Sequence, residues 1–404
     1  MNPPPLDGIC VIDLTHDWAG PHCTRLLADY GAEVILVEYP RRLGLFRGGI
    51  TEDRAYDRQP FWFQVNRNKY GITLDLKRPK DHEIFRELAA GADVVAENGR
   101  TGVMERLGLG YAELSRINPS LIMLSMPAYG GTGPDAAFPA YGGVLEAVSG
   151  IQNLTAYADG GACQRIREMD VVNGVGGACA VMTALVHRQR TGRGQHIDFS
   201  QLEFITHALI GEHLLEFAAN GTCPRGLGNR HRCFAPQGCY PCLGEDKWVT
   251  LTVRSQGQWE RLCDVLGHSE WRHDPRFASN PARQENHDQL DREIEAWTRP
   301  RTHVEAMQRL QEQGIPAGAV FNVQELGADP HLAARGYFAD QVSGTDKPLP
   351  GLCVRLSDGK GRVQRRGPNL GEHNEQIIGG RLGRPAADLP RLSEDEVGTA
   401  YDPE

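Results

Sequence analysis

Most of the short motifs that give away an activity are missing from this 404-residue chain. There is no HExxH, so the helical histidine pair of a metalloprotease is excluded, and no G-x-S-x-G, so there is no serine elbow. Neither a P-loop nor a G-x-G-x-x-G occurs, which removes the NTPase cradle and leaves a nicotinamide reading poor. A single CxxC is found, "CYPC" at 239–242, with no second pair at zinc-ribbon spacing. Proline and glycine surround it where a thiol-activating helix start would be needed, so structural cysteines are expected there. His207 and His213 stand six apart and share no helical face, and no metal site is expected. The ten cysteines lack the spacing of a small disulfide scaffold, which favours reduced thiols. "MNPPPLDGIC" has no basic segment leading into an apolar core, so a cytoplasmic location is the expectation.

Positive charge is short as well: 43 Lys and Arg stand against 52 Asp and Glu, a net charge of −9. That balance argues against nucleic acid or an anionic membrane as the main partner. It leaves room for a small anionic ligand held by local cations. No apolar run approaches the ~20 residues of a membrane span. What is present is ordinary globular composition, 40% hydrophobic and 24% charged, in a chain too long for one core.

"ICVIDL" (9–14) reads as a buried strand, "HCTRLLADYG" as a helix stopped by Gly31, and "EVILVE" (33–38) as a second strand. Strand, helix, strand with short joints is a βαβ unit, which requires a parallel sheet. The pattern recurs with "DHEIFRELAAG" and "DVVAEN" (93–98), then with a helical stretch near 104–116 and "SLIMLSM" (120–126). The first ~200 residues therefore predict a doubly wound α/β domain. Glu38 closes the second strand at the position where a ribose-binding acid can sit. Past about residue 220 the texture changes to short strand-like runs with "GEDK" as a hairpin connection, helices near 257–266 and 288–313, and "GIPAGAVFNV" (314–323). The expected boundaries are 1–224 for a large α/β domain, 225–325 for a smaller α+β domain, and 326–404 for a segment that returns to the first.

The acid that stands out is Asp170, at the head of "DVVNGVGGACAV". Residues 171–190 contain no proline and predict one helix, with Asp170 just before it as N-cap. By spacing alone a cap is favoured over a catalytic group. Gly174, Gly176 and Gly177 weaken that helix, so close approach by backbone or ligand is needed to explain them. An acid at a helix N-terminus is also held ionised, which suits a nucleophile.

Set in order, "DLTHDWAGPHCTRLLADYGAEVILVE", "NRNKYGITLDLKRP", "ENGRTGVMERLGLGY", "INPSLIMLSMPAYGGTGP", "RQRTGRGQHIDFSQLE", "DPRFASNPARQEN", "GIPAGAVFNVQELGADPHLAARGYF" and "GPNLGEH" resemble the class III CoA-transferases nearly end to end. That family includes the formyl-CoA and carnitine CoA-transferases. The resemblance implies a Rossmann-like large domain whose parallel sheet is built from both chain ends, a smaller α+β domain, and an interlocked homodimer. It implies an acyl-CoA and a small carboxylic acid as substrates, with no permanently bound cofactor. It makes Asp170 the nucleophile. It places coenzyme A contacts on His16, Trp18 and Ala19, on Leu74 and Lys77, on Asn98 and Arg100, on Arg106, and on Ala140 and Tyr141. Lys77, Arg100 and Arg106 suit an anionic cofactor's phosphates.

Three positions depart from the family pattern. Trp18 stands where formyl-CoA transferases carry glutamine, a glycine run is missing after "GN" (228–229), and Pro139 replaces a basic contact. Formate and oxalate are therefore disfavoured, and Trp18 with "RHR" (230–232) points to a larger or dicarboxylic acyl group such as succinyl. The α-methylacyl-CoA racemase branch is the rival of the same fold, but Tyr141 stands where its histidine base belongs, and a phenol near pKa ~10 is a poor base. A weakly active subunit of a heteromeric transferase is a second alternative.

Overall fold

The structure is a computed structural model and describes residues 2–48, 52–157, 169–339, 342–345, 348–390 and 397. The chain divides into two compact units: Met1–Ile151, Arg165–Gly221 and Ala334–Glu404 form the first, Gln152–Gln164 and Thr222–Ala333 the second.

Six strands of the first unit, β1 (Cys10–Asp13), β2 (Glu33–Glu38), β3 (Tyr70–Thr73), β4 (Val94–Glu97), β5 (Ile122–Ser125) and β6 (Gln195–Asp198), pair in parallel in the order β3-β2-β1-β4-β5-β6. This is the doubly wound order, with its reversal between β1 and β4. Successive residues point to opposite faces. Ile12, Ile35, Val95 and Met123 join one core with Ile84, Phe85 and Leu114. Val11, Val34, Val94 and Ile122 join the other with Cys23, Leu27, Val181 and Ala184. The helices are α1 (Ala19–Asp29), α2 (Pro60–Val65), α3 (Pro79–Ala90), α4 (Val103–Arg106), α5 (Tyr111–Ile117), α6 (Gly142–Val148), α7 (Ile151–Leu154), α8 (Met169–Thr191) and α9 (Gln201–Asn220). Helices α1 and α8 cover one face of the sheet, α3 and α5 the other.

The sheet corrects one expectation. All six strands come from residues 10–198, and the described residues of the C-terminal segment add none to this sheet. It contributes Ile377 and Ile378 to one core and closes the outer edge of β3 with side chains. The Gly71 N–H donates to His373 Nδ1 at 3.0 Å and the Thr73 N–H to Asn374 Oδ1 at 2.9 Å. An edge satisfied this way has no free donors for a seventh strand. The stretch predicted helical near 104–116 is two helices, since Gly108 takes φ +68° between them. Helix α8 has the length and composition to cross a bilayer, contrary to the reading of the bare run, yet half of it is buried, packed on α1 and β5.

The second unit holds an antiparallel sheet in the order β7-β8-β9, from β7 (Gln237–Pro241), β8 (Trp248–Thr252) and β9 (Ala317–Ala319). "GEDK" is the β7–β8 connection, and the Cys242 N–H donates to the Lys247 carbonyl across it at 2.7 Å. Its helices include α10 (Gln256–Leu266), α11 (Asn280–Glu285), α12 (His287–Thr298) and α13 (His303–Glu312). The predicted 288–313 helix is thus broken near Pro300, whose ring cannot continue an i→i−4 ladder. Trp259, Trp271, Phe277, Leu290 and Leu310 form the core. Cys239 lies on β7 and Cys242 just beyond it; burial raises both thiols, Cys242 to about 11, and neither is in a disulfide. The pair is structural.

Candidate active site

In a parallel sheet, each helix that follows a strand begins at the strand's carboxyl edge, so loops and helix N-termini collect there. Asp13 ends β1 fully buried and organises the joint to α1. Its Oδ1 accepts the Thr15 N–H and hydroxyl (2.9 and 2.6 Å), and its Oδ2 accepts the Thr24 hydroxyl (2.6 Å) and Lys69 Nζ (2.9 Å). Burial lowers the Lys69 pKa, and the Asp13 carboxylate opposes that fall. Asp17 follows with φ 64°, a left-handed residue whose carboxylate accepts the Leu45 N–H at 3.0 Å. Trp18 precedes α1 and packs edge-on against Phe61 (5.1 Å) and Phe46 (5.9 Å). His16 keeps solvent access, yet protein packed around it pushes its pKa down.

Helix α8 starts at Met169, so Asp170 lies within its first turn rather than before it. The glycines that follow are explained by close packing of protein. A side chain at Gly174 would begin 2.8 Å from the Ala19 carbonyl oxygen and 2.7 Å from His22. One at Gly177 would meet Met126 and Cys23, and one at Gly176 would meet Phe204 and Phe199. Because Asp170 stands one turn before Gly174 on the same helix face, the close seat of Ala19 brings the β1–α1 joint to the acid. On its other side the carboxylate lies over the first residue of α6: a Cβ on Gly142 would sit 2.5 Å from Asp170 Oδ2. Glycine there leaves the carboxylate its space.

The residues named from the sequence fall along this one edge of the first unit. His16, Trp18 and Ala19 form the β1–α1 joint, and Asn98 and Arg100 form the β4–α4 joint across the reversal point. Asn98 binds the His16 main chain. Arg100 and Arg106 are exposed, and Arg106 ends α4. Ala140 and Tyr141 lead into α6, where Tyr141 is the N-cap residue and 62% exposed. Lys77 is exposed beyond β3, whereas the Leu74 side chain is core and offers a ligand only its main chain. Glu38 is not available to a ribose: Arg47 grips it through Nε and Nη2, both at 2.6 Å. Sequence reasoning passed over Tyr39, Arg41, Arg78 and Lys80, which line a cavity of about 560 Å3 with Leu74 and Asp388. Tyr39 and Arg41 directly follow β2, so the strand-end rule was the signal for them. In the second unit Arg230 of "RHR" is held by Asp288 and Asp291 at 2.5 and 2.6 Å, so its charge is already matched. Among the described residues no group of acids, histidines and cysteines has metal-site geometry.

A family model for CoA-transferase family III matches residues 6–374. The chain belongs to CoA-transferase family III. It is 34% identical over 402 residues to the succinyl-CoA–D-citramalate CoA-transferase of Chloroflexus aurantiacus, covering 98% of both chains. It is 36% identical over 385 residues to the acetyl-CoA:oxalate CoA-transferase of Acetobacter aceti, covering 92% of this chain and 95% of that one. Among solved structures, a CaiB/BaiF family protein from Brucella suis superposes with a TM-score of 0.83 at 32% identity, covering 93% of this chain and 99% of that one. CoA-transferases of this family use CoA thioesters as substrates.

Proposed function

We propose that this chain moves coenzyme A from an acyl-CoA donor to a carboxylic acid acceptor, with Asp170 as the nucleophile. The observation that carries the reading is the seat of the Asp170 carboxylate, over the α-carbon of Gly142 and one turn from the β1–α1 joint. An Asp170 oxygen attacks the donor thioester carbonyl, giving an acyl-aspartyl anhydride and the CoA thiolate. The thiolate attacks the aspartyl carbonyl of that anhydride, giving an aspartyl-CoA thioester and releasing the donor acid. The acceptor carboxylate then attacks the aspartyl-CoA thioester, forming a second anhydride, and returning thiolate takes the acceptor's acyl group and frees Asp170. Each intermediate keeps the energy of the thioester, which is the advantage of a covalent route.

For the acyl group, a dicarboxylic acid is the reading with most support. Trp18, braced by Phe46 and Phe61, replaces the glutamine of the formyl-CoA transferases, which supports an acyl group other than formyl. Of the relatives named above, one is named for succinyl and citramalate and the other for acetyl and oxalate, and the succinate–glutarate CoA-transferase of Agrobacterium fabrum is 32% identical over 391 residues. Contacts from His16, Trp18 and Ala19, from Asn98, Arg100 and Arg106, from Lys77 and from Ala140 and Tyr141 to coenzyme A are part of the same proposal. So are a cytoplasmic setting and a homodimer, the latter supported by exposed Val175, Met182 and Val186 on α8 and Leu214, Leu215 and Phe217 on α9.

The test is incubation with a panel of acyl-CoAs followed by peptide mass analysis. A CoA-sized adduct is expected on the peptide holding Asp170 and not in Asp170→Ala. An adduct on another peptide, or none with any donor, would sink the mechanism.

A further inference from the structure

Asn98 stands at the carboxyl end of β4, across the strand-order reversal from His16. Its Oδ1 accepts the His16 N–H and its Nδ2 donates to the His16 carbonyl, both at 2.9 Å. A single side chain thus satisfies both main-chain groups of one residue in the other joint. Asn98 is itself carried on a fixed turn, because the carboxyl of buried Glu97 accepts the Gly99 N–H at 2.7 Å and is hydrogen-bonded by Ser125.

The joint so gripped has few ties of its own. Among the described residues its main chain leaves the sheet after the Leu14 N–H reaches the Ala96 carbonyl, and is next tied to main chain where His22 bonds to Trp18. Between these points side chains hold it: Asp13 for Thr15, Asn98 for His16, and Asp17 for the neighbouring Leu45. Asp17 lies in the left-handed region at φ 64°, a backbone conformation that persists only where its surroundings hold it. At the far end, the Ala19 carbonyl is seated on Gly174, one turn from Asp170.

Resting on the function proposed above, we propose that Asn98 is a positioning residue. It locks the β1–α1 joint in the shape that seats Ala19 on α8 and presents His16 and Trp18 to coenzyme A beside Asp170. Its side-chain amide is engaged at both ends by His16 and works through it, which leaves the Asn98 main chain for the proposed contact with coenzyme A.

Two variants of similar size test this. Asn98→Asp keeps the acceptor and loses the donor, and Asn98→Leu loses both. In Asn98→Leu, amide exchange across residues 15–19 should quicken about tenfold, the loss of one such bond. Affinity for coenzyme A and kcat/KM should fall by a similar factor, with Asn98→Asp between the two proteins. Adding Trp18→Ala to Asn98→Leu should cost less than Trp18→Ala costs alone, because both act through one joint. A loss of fold alone would lower Tm without that non-additivity. Unchanged exchange, or additive losses with Trp18→Ala, would overturn the proposal in favour of direct ligand contact. Faster exchange with unchanged coenzyme A affinity would overturn it too. If the unaltered protein transfers no acyl group, the proposed function fails, while exchange and coenzyme A affinity still decide the role of Asn98.

Discussion

Gly142 lies under the Asp170 carboxylate, so Gly142→Ala puts a methyl 2.5 Å from Oδ2 and displaces the nucleophile. Misplacement on that scale costs about 10²-fold in rate, and kcat should fall out of proportion to any change in Tm. Gly174→Ala is the complementary case: its new methyl meets the Ala19 carbonyl oxygen at 2.8 Å, and backbone cannot rotate away. About 1–3 kcal/mol of stability should be lost, read as a lower midpoint in urea. His22, between those two helices, has its pKa pushed down from 6.5 to about 3 by burial, with the Arg25 charge adding to the fall. The unfolded chain binds the proton first, so stability is intact above pH 6.5 and drains as pH falls from there toward 3. Urea titrations at stepped pH should show that slope in the native protein and a reduced one in His22→Gln.

At the level of elements, the first unit depends on buried ion pairs that fix joints to strands. Arg47 holds Glu38 at the end of β2, donates to Asp57 at 2.9 Å and to the Pro368 carbonyl at 3.1 Å, and lies 3.9 Å over the Trp62 ring. Arg47→Met would leave buried Glu38 without the guanidinium that grips both its oxygens, a loss of about 3–5 kcal/mol. Denaturant unfolding with equal m-values would measure it; a change below 1 kcal/mol would mean the pair is solvated. The same elements show what could be read from residue order. The strands at 9–14, 33–38, 93–98 and 120–126 were legible because each is a short apolar run closed by turn residues. The breaks inside 104–116 and 288–313 were less so: a glycine or proline within a periodic stretch ends a helix only when tertiary packing does not carry it through.

For the molecule as a whole, the apolar residues left open on α8 and α9 are the main unsatisfied surface of the first unit. Leu215 is 70% exposed and Phe217 57%, more than a helix of an isolated chain normally leaves to water. If a second copy covers them, sedimentation should show a dimer, and Leu215→Glu with Phe217→Glu should shift it to monomer without loss of helix content. Unchanged mass in the double variant would remove α9 from the interface. Residue order by itself determined the parallel α/β sheet, since βαβ joints this short admit no other pairing, and it marked Asp170 as the acid in a glycine-rich setting. It could not decide what the glycines served, because a gap for a ligand and a seat for a neighbouring helix demand the same missing side chain. Nor could it show that Asn98 is bonded to His16, that Glu38 is bound by Arg47, or that the C-terminal segment closes an edge with His373 and Asn374. Those contacts join residues from 9 to 302 positions apart, and only the folded chain brings them within hydrogen-bond reach.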